Sequence, residues 1–206
     1  IASLTQFCAA GPTCLSSSDQ TSAEGSNLVA FIRGDRSNEG PDTDITKYFR
    51  TRANVLGDIV NAEAVYVKTP LLNYADSGFA SYVSGLASRQ GMVYAAANDG
   101  MLHAFNASTG AESWAYIPTP VLPNLYKLAD KNYEQLHQFY VDGTPTVGDA
   151  YLGGVWKTML VGGYNNGGRG YYALDVTDPA NPKALWEFTD TNLGYTYGNP
   201  VIAKLQ

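Results

Sequence analysis

Short apolar runs broken by glycine-bearing turns set the rhythm of this chain. Val93-Tyr94-Ala95-Ala96-Ala97 leads through Asn98-Asp99-Gly100 into Met101-Leu102-His103-Ala104-Phe105-Asn106, and a second turn leads to a run ending at Trp114. The same order returns as Thr158-Met159-Leu160-Val161-Gly162, a glycine-rich turn through Gly170, Tyr171-Tyr172-Ala173-Leu174-Asp175, a longer turn, and Lys183-Ala184-Leu185-Trp186. Ala173 follows Ala104 by 69 residues and Trp186 follows Trp114 by 72, the longer second turn making the difference. Apolar runs of this length between turn signals predict strands. Repeated strand–turn–strand units that cannot bury both faces alone predict a β-propeller. The expected fold is therefore mainly β: a partial β-propeller with a short helical insertion.

The remaining pattern predicts how the chain is organised. Residues 1–26, rich in Ser, Thr, Ala and Gly, read as an extended N-terminal arm, and 27–206 as the propeller fragment. Asn27–Ile32 reads as a short helix or strand, Val55–Val60 and Ala64–Lys68 as strands of an opening blade, and Tyr74–Arg89 has near-helical spacing. Leu122, Leu125, Leu128, Leu136 and Phe139 predict helical turns in an insertion at 119–140, which accounts for most of the stretch beyond the usual repeat of about 40–50 residues. Tyr140–Val147 and Tyr197–Ile202 place a small residue and a proline before an apolar strand, so a further blade is expected to open at 199–205. A chain of 206 residues has room for two blades, whereas propellers close with about four to eight. Ile1 begins it without a basic leader region, and a segment of something larger is expected.

Composition narrows the function. The net charge of −6 disfavours nucleic acid, which needs clustered Lys and Arg. No apolar run approaches the roughly 18 residues of a membrane helix. The two cysteines, Cys8 and Cys14, flank a Gly-Pro turn that brings them within disulfide reach. A bridge is the favoured reading, two unrelated thiols the alternative. No catalytic set, cofactor site or metal cluster stands out; His103 reads as a packing or hydrogen-bonding residue and Asn98-Asp99-Gly100 as a hairpin turn.

Several segments resemble, in the same order, the C-terminal propeller of the type IV pilus tip-associated adhesins, the PilY/PilC family. They are Phe31-Ile32-Arg33-Gly34-Asp35-Arg36-Ser37, Val55-Leu56-Gly57-Asp58-Ile59-Val60-Asn61, Asn98–Phe105, Tyr140–Asp149 and Gly168–Asp178. Ala62-Glu63-Ala64 departs from the Ser and Pro usual there. The resemblance implies an exported, extracellular protein at the pilus tip that works with minor pilins. Its implied roles are priming assembly, opposing retraction in twitching motility, and adhesion to surfaces or host cells. It also implies a calcium loop of the Asp-x-Asp/Asn-x-Asp type, placed in the family beyond the position of residue 206. Asp42-Thr43-Asp44 lacks the third ligand, the turn glycine and the terminal acid of such a loop.

Arg33-Gly34-Asp35 is the one candidate receptor-binding motif, since the tripeptide on a mobile loop presents a guanidinium and a carboxylate to an integrin. The competing reading makes Gly34 a turn and ties Arg33 and Asp35 to the body through Phe31-Ile32. The repeat also resembles blades of quinone-dependent dehydrogenases, where the Trp docks neighbouring blades. That reading would require a calcium ligand, a basic quinone partner and often adjacent cysteines, which Cys8 and Cys14 are not. A generic propeller binding module is the third class. On the repeat alone, Trp114 and Trp186 are expected at equivalent positions, both largely buried against a next sheet.

Overall fold

The computed structural model describes residues 2–203. Two antiparallel four-stranded sheets carry the repeat. The first runs β1 (Val65–Val67), β2 (Met92–Ala97), β3 (Met101–Asn106), β4 (Glu112–Tyr116), with its strands in that spatial order. The second runs β5 (Thr146–Leu152), β6 (Val155–Gly163), β7 (Tyr171–Asp175), β8 (Lys183–Phe188) in the same way. Among the described residues, three short helices, α1 (Ser17–Ala23), α2 (Ser26–Ile32) and α3 (Phe79–Gly85), complete the regular elements besides 3-10 turns. No helix among the described residues is long and apolar enough to cross a membrane.

The repeat is reproduced residue by residue. Ala104 faces Trp114 across β3–β4, and Ala173 faces Trp186 across β7–β8, with a bulge directly after each alanine. Each third strand closes on an Asx turn. Asn106 Oδ1 accepts from the Ser108 backbone at 2.9 Å, and Asp175 Oδ1 accepts from the Thr177 backbone at 3.1 Å. That is why the repeat demands Asn or Asp there: the side chain satisfies the amide that leaves the ladder.

Side chains across the central strands are size-matched. Tyr172 of β7 lies opposite Gly162 of β6, where an added Cβ would sit 2.3 Å from the tyrosine ring. The equivalent pair in the first sheet is the smaller His103 opposite Ala95. Between the sheets, the Trp114 indole donates to the Pro179 carbonyl at 2.8 Å, and the Tyr116 hydroxyl donates to Glu187 Oε1 at 2.5 Å. The Tyr116 and Tyr172 rings pack at 5.7 Å.

The chain divides into two compact units, residues up to Gly57 with Leu122–Gln138, and Asp58–Val121 with Phe139 onward. The expected boundary at 26/27 therefore moves, and residues 2–26 are not an extended arm. They form a 3-10 turn at Thr5–Phe7 and helix α1, with Leu4, Gln6, Leu15 and Ala23 buried. The reason is long-range pairing. The Gln6 amide donates to the Tyr48 and Ala129 carbonyls at 3.0 Å each and accepts from the Lys131 backbone, while the Thr5 hydroxyl donates to Asp130 at 2.6 Å. Arg50 adds a bond to the Leu128 carbonyl and lies 4.5 Å over the Tyr133 ring. The insertion is helical as 3-10 turns, Thr119–Ala129 and Tyr133–Gln135.

Three further expectations change. Val55–Val60 is not a strand: Asp58 is held by Asn98, whose amide also accepts from the Tyr140 backbone. Residues 199–203 form no strand, and 204–206 lie outside the described residues; Thr196 is buried while Val201 is 84% exposed. Trp186 is 44% exposed, so it shares the register of Trp114 but not its burial. Burial of this ring comes from a neighbouring sheet, not from the repeat unit.

Candidate functional site

Arg33-Gly34-Asp35 ends helix α2. Arg33 is its C-cap, and Gly34 turns the chain at a φ of +104°, where an added Cβ would meet Val55 at 3.1 Å. The Arg33 and Asp35 side chains are exposed, as the adhesive reading needs. The backbone is anchored beneath them by Arg52, which is buried. Its guanidinium donates to the Phe31 carbonyl at 2.9 Å, to the Asp35 carbonyl at 3.0 Å and to Glu39 Oε1 at 2.7 Å, and it lies 3.8 Å over the Phe31 ring. Glu39 is nearly inaccessible, its side chain 4% exposed. Burial alone would raise its pKa, but the bonds and charge of Arg52 hold it below the ordinary glutamate range. The Asp35 carboxylate itself is bound by Ser37, whose side chain first and backbone N–H second (2.7 Å) lower its pKa. The motif is thus a rigid turn over a buried ion pair. Sequence reasoning missed Arg52 and Glu39; the acid–base pair 13 residues apart that follows the motif was the available signal.

Cys8 and Cys14 are bridged, with Cα atoms 5.3 Å apart. The Asp42–Asp44 loop does not fit a divalent cation. Asp44 Oδ1 accepts from both donors of Thr46, and the Lys131 ammonium occupies the Pro41 and Asp44 carbonyls. Among the described residues no cluster of three metal-ligating side chains occurs.

His103 is buried between two carboxylates, Nδ1 at 2.7 Å from Glu112 and Nε2 at 3.1 Å from Asp99. Ionised carboxylates only accept, so both ring nitrogens donate and the ring is imidazolium. Burial opposes that charge, but the bonds and charges of Asp99 and Glu112 outweigh it and raise the histidine pKa. The arrangement clamps the β2–β3 turn to β4 and leaves no acceptor nitrogen for a base.

A second polar cluster links α3 to the second sheet. The Tyr82 hydroxyl donates to Asp149 Oδ1 at 2.7 Å, the Thr158 hydroxyl donates to the same oxygen at 2.9 Å, and Arg89 Nη1 donates to the Thr158 hydroxyl at 2.7 Å. Trp156, whose indole donates to the Ser77 carbonyl at 3.1 Å, packs beside it against Phe79 at 4.7 Å between ring centroids. The contacts across this seam join residues 67 to 79 positions apart, and no local pattern announces them.

Two register-matched sheets, docked through an indole and a glutamate, define a segment of an open β-propeller whose polar groups secure loops and seams. The chain belongs to the PilY1 β-propeller family: the model of the PilY1 beta-propeller domain matches residues 56–206. It is 43% identical over 198 residues to type IV pilus biogenesis factor PilY1 of Pseudomonas aeruginosa strain PAK, covering 91% of this chain and 16% of that protein. A PilY1 homolog of Xylella fastidiosa strain Temecula1 is 42% identical over 189 residues, covering 85% of this chain and 15% of that protein. The crystal structure of the P. aeruginosa PilY1 C-terminal domain superposes with a TM-score of 0.56 at 36% identity, over 68% of this chain and 29% of that one. The chain therefore spans about one sixth of the length of the curated relatives it matches.

Proposed function

We propose that this chain is part of an exported type IV pilus biogenesis factor that acts at the pilus tip. There it works with minor pilins in pilus assembly and retraction control, and serves adhesion to surfaces or host cells. The observation that carries this reading is similarity to pilus biogenesis factors over most of the chain, on a fold whose repeats match strand for strand. The segment works as a scaffold and binding surface without catalysis. The buried histidine, His103, is spent on two carboxylates, and dye-linked dehydrogenase activity with added quinone and calcium is expected to be absent. The direct test is co-purification of the full-length protein with sheared pili and minor pilins. Its absence from that fraction would overturn the tip assignment.

Within this role the Arg33-Gly34-Asp35 turn is structural, because its carboxylate closes a local turn and its backbone rests on Arg52. Asp35→Glu is expected to leave host-cell adhesion within about twofold of the parent protein, since a surface change of this kind costs under about 0.5 kcal/mol. Loss of integrin-dependent adhesion with piliation intact would restore the receptor-binding reading.

A further inference from the structure

A cleft of about 850 Å³ opens between α3 and the β5–β6 hairpin. Four aromatic side chains converge on it: Tyr74, Tyr82 and Tyr151 lie with ring centroids 5.4, 6.3 and 5.6 Å from that of Trp156. Two carboxylates, Asp76 and Asp149, also line it, and among the described lining residues there is no Lys, Arg or His. Asp149 is 8% exposed, and both of its bonds fall on Oδ1, leaving Oδ2 without a hydrogen bond. Arg89 reaches the Thr158 hydroxyl, which in turn donates to Asp149 Oδ1, so the guanidinium stands one hydroxyl away from that carboxylate. The cleft thus joins aromatic rings, whose π faces attract cations through their quadrupole, to two carboxylates with no Lys, Arg or His beside them among its described lining residues.

We propose that this cleft binds a quaternary ammonium group of the trimethylammonium class carried by choline. Aromatic walls and acid together select a cation over a neutral or anionic ligand. The ring surfaces select the kind of cation. A primary ammonium is strongly hydrated and must replace up to three hydrogen bonds, whereas a quaternary one spreads its charge over methyl groups that pack on rings and need none. Tyr151 is 58% exposed and Tyr74 half-buried, so ring surface is reachable from solvent.

The test is a ligand-observed NMR titration of the full-length protein with choline chloride, beside n-butylamine, maltose and the neutral isostere 3,3-dimethyl-1-butanol. Saturable choline binding is expected, weakened about tenfold for the isostere and for butylamine. Tyr151→Ala is expected to weaken it about threefold, and Asp149→Asn, which keeps acceptors for Tyr82 and Thr158, about tenfold. Circular dichroism of both variants shows that the fold is retained. Equal affinity for choline and the isostere, full affinity in both variants, or saturation by maltose in place of choline would each overturn the proposal. Phosphatidylcholine and phosphatidylglycerol vesicles then separate the sources. Choline-competed capture by phosphatidylcholine vesicles assigns a lipid headgroup, and binding of free choline without capture assigns a soluble ligand.

Discussion

The two sheets share register, bulge and Asx turn, yet they treat equivalent residues differently. Trp114 is fixed by the Pro179 carbonyl, while Trp186 stays 44% exposed. His103 is held as imidazolium between two acids, while Tyr172 at the same register position is fully buried and stacks on Tyr164 at 5.9 Å. Backbone geometry is a property of the repeat, and burial and charge are properties of what lies beside it.

The strongest test of that distinction is a pair of tryptophan deletions. Trp114→Ala is expected to cost about 2–4 kcal/mol, toward the lower end for a partly buried aromatic, and Trp186→Ala no more than about 1 kcal/mol. Urea unfolding followed by circular dichroism measures both, and equal losses would break the comparison. Next comes the size matching between central strands. Gly162→Ala drives a methyl group into the Tyr172 ring and is expected to destabilise by about 1–3 kcal/mol. Ala95→Gly, at the matching site, should cost only about 1 kcal/mol through backbone entropy. A neutral Gly162→Ala would show that the tyrosine relaxes freely.

The smallest effect is a pH dependence confined to the first sheet. The folded pKa of His103 lies above the ordinary 6.5, so its contribution is full below about pH 6.5 and fades as pH rises through the folded value. The change should be on the order of 1 kcal/mol, because burial offsets much of the gain from charged hydrogen bonds. Thermal melts of the parent protein and His103→Phe across this range check it, and an identical pH profile in the two would remove the clamp. Tyr172 supplies no counterpart in the second sheet, since burial pushes its hydroxyl far above that range.

What the sequence disclosed follows from how far apart the interacting residues are. β2–β4 and β6–β8 were legible because each strand pairs with its neighbour, so apolar runs, turn residues and the Ala–Trp spacing are local signals. Residues 2–26 were misread as an arm because their packing rests on single residues, Leu4, Gln6 and Leu15, with no periodicity between them. Gln6 finds its partners 42 and 123 positions away. Trp186 was misjudged for a related reason: its position was encoded in the repeat, but its surroundings were not. The aromatic cleft was wholly hidden, since Tyr74 and Trp156 meet only after α3 and the β5–β6 hairpin are in place.

The stitching of Gln6 and Thr5 to Ala129, Asp130 and Lys131 also sets an order of events. As the chain emerges from a ribosome, the residues up to Gly57 arrive long before the segment 122–138 that completes their unit. The whole first sheet, by contrast, is delivered in between. Local hairpins close in about 1–10 μs, while contacts across more than a hundred residues carry a larger loop-closure entropy and form late. Of this unit, the residues delivered earlier are therefore among the last to become native. Until residue 131 is available their apolar side chains must wait, so this segment is where a chaperone, or a misstep, has the longest opportunity.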